Sequence, residues 1–307
     1  MDACRAAGPL ISRLTGIGEA NISGRATWTK AAALAALCLV SASCAKRAVS
    51  PAPPDRSASA RLVSLNPCTD AILLEVAEPA QVLAISHYSH DPASSSIPQR
   101  LAHRFAATGG TVEEIVALDP DLVLASTFLS PATGQAMHDL GQDFRTFASP
   151  TTIEESLAQI RSIGRLAGHA DTADRKADFI RQEVTAAAAP EGFTPISTVL
   201  WQPGEIVPGN ATLIGEMMRI AGFSSHSEAL GLGQAQHLSL EILLAHPPEL
   251  LLVAGSSRGQ LHPALRQLKD TRVEPFDASL LYCGGPTIPR VMERLAEIRD
   301  DMRGEGG

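Results

Sequence analysis

Three aromatic residues with polar tips stand directly after runs that read as strands: Tyr88 after Ala84-Ile85, Trp201 after Val199-Leu200 and Tyr282 after Leu280-Leu281. Beyond residue 44 the chain has no other tryptophan or tyrosine. Such rings offer flat apolar faces to a bulky guest while the hydroxyl or indole N–H meets solvent or amide groups. Each alone would be an ordinary half-exposed strand end; their coincidence makes a binding cleft the sharper reading. Cys68 and Cys283 also follow strands, in Asn66-Pro67-Cys68 and Tyr282-Cys283-Gly284-Gly285. They are candidates for touching a ligand or a metal, or else small buried residues at helix starts. One lies in each half of the body, where a bridge would restrict motion between the halves, so the sequence predicts unpaired thiols beside the cleft.

Other chemistries are weaker. His87, His90 and Asp91 sit in one polar loop and could ligate a metal, although a polar loop with two histidines is more often just solvated. Gly255-Ser256-Ser257-Arg258-Gly259 satisfies the nucleophile-elbow spacing of a serine hydrolase. The last histidine, His262, precedes Asp270 and Asp277, so the acid-then-histidine order of that class is missing and a Ser/Gly turn is favoured. No phosphate loop, His-Glu-x-x-His helix or dinucleotide glycine signature occurs. A non-enzymatic binding role is expected, with no catalytic residues.

The elements that would position these residues show themselves as a repeat. Gly109-Gly110-Thr111-Val112-Glu113-Glu114-Ile115-Val116-Ala117-Leu118-Asp119-Pro120-Asp121-Leu122-Val123-Leu124-Ala125 is echoed by His237-Leu238-Ser239-Leu240-Glu241-Ile242-Leu243-Leu244-Ala245-His246-Pro247-Pro248-Glu249-Leu250-Leu251-Leu252-Val253-Ala254. In each copy a hydroxyl residue caps a short helix with a carboxylate in its first turn, a proline stops it, and an apolar strand follows. Strands alternating with helices argue for parallel sheets, and a unit that occurs twice argues for two similar α/β lobes with a cleft between them. Between the lobes, Ile153, Leu157, Ile160, Ile163, Leu166, Ala173, Ala177, Ile180 and Val184 keep helical spacing. They predict one long connecting helix, kinked near Gly168, that allows only a small rocking of the lobes.

With 307 residues, 45% hydrophobic and a net charge of −8, the chain has material for two cores and no basic surface for nucleic acid. The first 44 residues carry Arg5, Arg13, Arg25 and Lys30 against Asp2 and Glu19, which leaves the remainder more acidic still. Residues 25–44 read as an export signal: Arg25 and Lys30 precede a ten-residue apolar run, 31–40, too short to span a bilayer. Ser41-Ala42-Ser43 then leads to Cys44, either a lipidated first residue or a neighbour of ordinary signal cleavage. Residues before Arg25 fit no part of such a signal, which points to a start later than Met1. The expected organisation is an export signal over 1–44, a flexible Pro/Ala/Ser tether over 45–60, an N-terminal α/β lobe over 61–150, the linking helix over 151–190 and a C-terminal α/β lobe over 191–307.

Arg61-Leu62-Val63-Ser64-Leu65-Asn66-Pro67, the 85–92 segment, the Glu113-Glu114-Ile115-Val116-Ala117-Leu118-Asp119-Pro120-Asp121-Leu122-Val123 run, the 153–189 helix and Ser239-Leu240-Glu241-Ile242-Leu243-Leu244 together resemble the class III, Fe/B12-type periplasmic substrate-binding proteins of ABC importers. The resemblance implies two Rossmann-like lobes and a periplasmic receptor that delivers cobalamin or a ferric siderophore, with haem behind these. It implies no cofactor beyond the transported chelate, and as partner a permease dimer with its ATPase subunits. Direct Zn/Mn binding is the alternative within the same superfamily. By position in the repeat, Glu113 and Glu241 match the glutamates that dock on permease arginines in that family. Tyr88 matches an aromatic of the cobalamin binders that contacts ligand, and Trp201 lies where they carry a cleft aromatic. The chain departs from those binders at Ala106-Ala107-Thr108, where some carry a tryptophan, and in lacking paired cysteines within the second lobe.

Overall fold

The computed structural model describes residues 60–304, all within one unit of the chain. The export-signal reading of 1–44, including Cys44, and nearly all of the 45–60 tether lie outside the described residues.

The first lobe is laid out as β1 (Leu62–Ser64), α1 (Pro67–Val76), β2 (Val82–Ser86), α2 (Gln99–Ala102), β3 (Ala107–Thr108), α3 (Val112–Leu118), β4 (Leu122–Ser126), α4 (Pro131–Asp139) and β5 (Phe144–Phe147). Its strands form a parallel sheet in the order β3-β2-β1-β4-β5. Two helices, α5 (Ile153–Leu166) and α6 (Ala170–Ala187), lead to the second lobe. That lobe comprises β6 (Ile196–Trp201), β7 (Ile206–Val207), α7 (Leu213–Ile220), β8 (Phe223–Ser225), α8 (His226–Ala229), β9 (Gln236–His237), α9 (Leu240–Ala245), β10 (Leu250–Val253), β11 (Arg272–Pro275) and α10 (Ile288–Gly304). Its parallel sheet runs β11-β10-β6-β8, with β7 and β9 paired antiparallel apart from it. The α/β, two-lobe class read from the sequence is the class observed. The repeat is also visible: α3 and α9 are capped by the Thr111 and Ser239 hydroxyls, which accept from the N–H of Glu114 and Ile242. Where β3 joins its sheet before α3, β9 turns aside before α9 to pair with β7.

The connection differs from the single long helix of the sequence reading. Gly168 adopts φ +79, so the backbone turns out of the helix there. The Gly168 and His169 N–H groups satisfy the carbonyls of Arg165 and Gly164, a helix-ending pattern that glycine favours. Helical spacing resumes in α6, but running back: Arg161 meets Asp174 and Asp178, and Arg181 meets Glu154. A Cβ on Gly164 would collide with that of Ala173, so glycine lets the two backbones pass closely. The periodicity was continuous because both helices bury one stripe against the same core, a pattern that does not reveal a reversal of direction.

Strand parity builds that core. Leu62, Leu122 and Leu124 of the first sheet and Ile196, Leu200, Leu250 and Leu252 of the second point inward. They join Ile160, Ile163, Ile180, Ile288 and Leu295 in one cluster running through both lobes and the hairpin. Alternate residues face outward into smaller clusters, Val63 and Val123 beneath Ile115 in the first lobe, and Val199, Trp201 and Leu251 beneath Leu243 in the second. The lobes are therefore halves of one core rather than separate bodies on a strut.

Candidate ligand-binding cleft

In an open parallel sheet a crevice forms where neighbouring strands send their connections to opposite sides. That point lies between β1 and β4 in the first lobe and between β6 and β10 in the second. A cavity of about 320 Å³ opens there between the lobes. The first lobe supplies Asn66 and Cys68 after β1, Ser126 at the end of β4 and Phe147 at the end of β5, and Gln159 reaches in from α5. Gln202 after β6, Ile206 and Val207 of β7, Met217 of α7, Gln234 before β9, and Tyr282 with Cys283 form the opposite wall. No acidic or basic side chain of the described residues lines it. Four side-chain amides (Asn66, Gln159, Gln202, Gln234) stand among mostly apolar surfaces, a lining that can hydrogen-bond a neutral polar guest and gives little to an anion.

Of the five residues read as ligand contacts, the structure brings Cys68, Tyr282 and Cys283 to this cavity. Trp201 requires correction: it is wholly buried, with Val199 on the outer face of β6, and its indole N–H donates to the Leu238 carbonyl at 3.0 Å. Parity turns it away, and its neighbour Gln202 reaches the cavity instead. Tyr88 is 53% exposed in the turn His87–His90, its ring against His87, and is not among the cavity residues. It follows β2, which is one strand removed from the crevice. Asn66 and Gln202, which the sequence alone does not single out, each follow the first strand of a lobe, and amides carry less chemical signature than rings.

The two cysteines are also corrected. Cys68 and Cys283 form a disulfide, with Cα atoms 5.1 Å apart, that joins the start of α1 to the second lobe beside the cavity. The expectation of free thiols assumed lobes that needed to move independently. Because one core already spans them, the bridge removes no freedom that packing had left.

The remaining motifs resolve into structure. His87 Nδ1 lies 3.2 Å from the Thr108 carbonyl and His90 Nε2 3.1 Å from that of Ala102. No group of three or more His, Cys, Asp or Glu able to hold a metal occurs among the described residues. In the nucleophile-elbow sequence, the Ser257 hydroxyl donates to Glu205 at 2.7 Å, and His237 lies on the far side of that carboxylate at 3.4 Å. A carboxylate between serine and histidine inverts the order needed for a histidine to take the serine proton.

Glu113 and Glu241 are both exposed in the first turns of α3 and α9. The Ser239 hydroxyl holds the Glu241 carboxyl below the usual carboxylate range. Next to Glu113, Glu114 is engaged within its own lobe, accepting from the Thr108 hydroxyl and the Gly109 N–H at 2.7 Å each. Those donors, the Thr108 hydroxyl first, keep it ionised.

Two parallel-sheet lobes with a cleft at paired switch points define a periplasmic-binding-protein fold. Residues 62–273 match the family described as periplasmic binding protein, and the chain belongs to that family, in its Fe/B12-type class III branch. Members of this family bind substrates; they are not enzymes. A cobalamin-binding protein of Halobacterium salinarum is 27% identical over 209 residues, covering 64% of this chain and 54% of its own. A vitamin B12-binding protein of Yersinia pestis is 29% identical over 128 residues, covering 41% of this chain and 44% of its own. The chain thus spans about half the length of the curated relatives it matches. Among solved structures, the periplasmic heme-binding protein HutB of Vibrio cholerae aligns with a TM-score of 0.62 at 18% identity, over 78% of this chain and 98% of that one. The vitamin B12-binding protein BtuF of Vibrio cholerae aligns at 0.60 and 19%, over 78% and 96%. Likeness at these identities concerns the fold. No helix of the described residues is long and apolar enough to cross a membrane.

Proposed function

We propose that this chain is a periplasmic receptor that captures an uncharged, amide-rich metal chelate of the corrinoid class between its lobes and hands it to an ABC importer permease. The observation that carries the ligand class is the uncharged lining, in which neutral amides (Asn66, Gln159, Gln202, Gln234) and hydroxyls (Ser126, Ser149, Tyr282) supply the polar groups. Burying an anion calls for cationic partners or several donors aimed at it. Haem with its two propionates, or an anionic ferric catecholate, would find no arginine, lysine or histidine here. A corrinoid is rimmed by neutral amides, for which the uncharged amides of Gln202 and Gln234 are chemically suited partners. The cavity is at the small end of ligand pockets, so a macrocycle would seat one edge and project from the mouth. The curated relatives named for cobalamin agree with this choice.

Equilibrium titration of the protein with cyanocobalamin, haemin, a ferric catecholate and Zn²⁺ tests it. Cyanocobalamin is expected to bind tightest, and Gln202→Ala with Tyr282→Ala to weaken it at least about tenfold, in line with the loss of one stacked ring and one paired amide. Preference for haemin or the catecholate would reject the corrinoid assignment.

Delivery is assigned to Glu113 and Glu241. Two exposed carboxylates at equivalent places on lobes that share one core make paired anchors for a symmetric cationic partner. Glu113→Ala combined with Glu241→Ala is expected to leave ligand affinity intact and to lower uptake in cells by about tenfold or more, as expected when two interfacial charge pairs are lost. Normal uptake by the double variant would remove the docking role.

A further inference from the structure

Behind the second-lobe wall of the cavity lies a carboxylate that belongs to neither the ligand contacts nor the docking pair. Glu205 closes the turn between β6 and β7 with φ +63, and Ala235, just before β9, has φ +60. Only Asp119 joins them as a non-glycine residue at positive φ among the described residues. Left-handed backbone costs such residues roughly 1–2 kcal/mol and persists where the surroundings hold it. Both residues flank the β7–β9 ribbon, whose β7 strand, together with Gln234 and Ala235 leading into β9, forms one side of the cavity.

The holding contacts converge on Glu205. Its Oε1 accepts from the Ser257 hydroxyl at 2.7 Å and the Gly259 N–H at 2.8 Å. His237 Nε2, on β9, stands 3.4 Å from Oε2, and the Glu205 carbonyl accepts from the Leu238 N–H at 2.9 Å. One residue thereby ties the β6–β7 turn to β9 and to the loop after β10. A Cβ on Gly259 would run into this carboxylate, so the close approach needs glycine. Gln260 completes the clamp: its amide donates to the carbonyls of Trp201 and Gln202 at 2.8 and 3.0 Å, fixing the backbone from which Gln202 enters the cavity.

We propose that Glu205 is a positioning residue of the ligand cavity, one that does not line it but holds the β7–β9 wall in its binding shape against the backbone strain at 205 and 235. This rests on the cleft being the ligand site, as proposed above.

Glu205→Gly separates the two roles of the residue, because glycine relieves the left-handed backbone while removing the clamp. The melting temperature is expected to stay within about 3 °C of the original, since the relieved strain offsets lost hydrogen bonds. Amide hydrogen exchange of the unliganded protein at 202–208 and 234–238 is expected to rise by about tenfold, with the core strands unaffected. Cyanocobalamin affinity is expected to fall by about tenfold, the penalty of a wall no longer pre-formed. Glu205→Gln keeps an acceptor for Ser257 and Gly259 and is expected to recover most of both losses. Unchanged exchange at these segments with unchanged affinity would overturn the proposal, and so would a uniform rise in exchange with a collapsed melting temperature. If cyanocobalamin fails to bind the original protein, the ligand reading falls, while the exchange data still decide whether Glu205 holds the wall.

Discussion

Reducing the Cys68–Cys283 bridge, or replacing both cysteines by serine, is expected to lower unfolding free energy by about 5 kcal/mol, one of the two largest effects foreseen here. The bridge joins residues 215 apart in sequence, so it closes most of the folded chain into one loop. Cross-linking ends so distant removes more conformations from the unfolded chain than a short loop would. At this chain length, 5 kcal/mol corresponds to a fall in melting temperature of roughly 10–20 °C. The loss is expected to be global, with the lobes melting together, because Leu73, Ile160, Leu200 and Ile288 belong to one buried cluster. Thermal melts followed by circular dichroism, with and without a phosphine reductant and repeated on the double serine variant, measure it. A shift below about 3 °C would contradict the entropic account, and two separate transitions the shared core.

The sequence exposed what repeats or alternates. The capped helices α3 and α9, their following strands and the α/β class came from hydroxyl caps, first-turn carboxylates and apolar runs, all local effects. What it concealed depends on parity and reversal. Trp201 and Gln202 are neighbours at a strand end, and which of them enters the cleft is decided by the register of β6 against β10, where Trp201 pairs with the distant Val253. In the sequence Gly168 reads as a kink in one helix; only the packing of Gly164 on Ala173 shows that the chain doubles back. Cys68 with Cys283 paired against expectation because the argument from lobe motion presumed two cores. Glu205 carried no signal at all: its importance lies in a left-handed backbone and in donors 32 to 54 positions away.

The second large effect concerns pH. Asp70, in the first turn of α1, is wholly buried; its Oδ2 accepts from the Ser86 N–H at 2.9 Å and the Ser89 hydroxyl at 2.6 Å, while Oδ1 has no hydrogen-bond partner among the described residues. Burial pushes its carboxyl up to about 8, which keeps it protonated at neutral pH. In the unfolded chain an aspartate gives up its proton near pH 4, so between about pH 4 and 8 unfolding releases a proton that the folded state retains. Stability from this group is therefore complete below about pH 4 and declines as pH rises towards 8, by up to about 1.4 kcal/mol per unit and on the order of 5 kcal/mol in all. Glu114 and Glu155, held below the usual carboxylate range by hydroxyl and N–H donors, act in the opposite sense: their contribution is present above that range and is lost as pH falls through it. The two limbs meet on the acid side of neutrality, where maximum stability is expected. Asp70→Asn isolates the alkaline limb, since the amide oxygen can still accept from Ser86 and Ser89 but nothing titrates. Its NH₂ takes the unpartnered place of Oδ1, at a cost of about 1–3 kcal/mol. The variant is thus expected to be less stable than the original protein at pH 4 and more stable at pH 8, with the two curves crossing between. Urea denaturation at half-unit pH steps gives both curves, and parallel curves would show that Asp70 ionises in the folded protein much as it does in water.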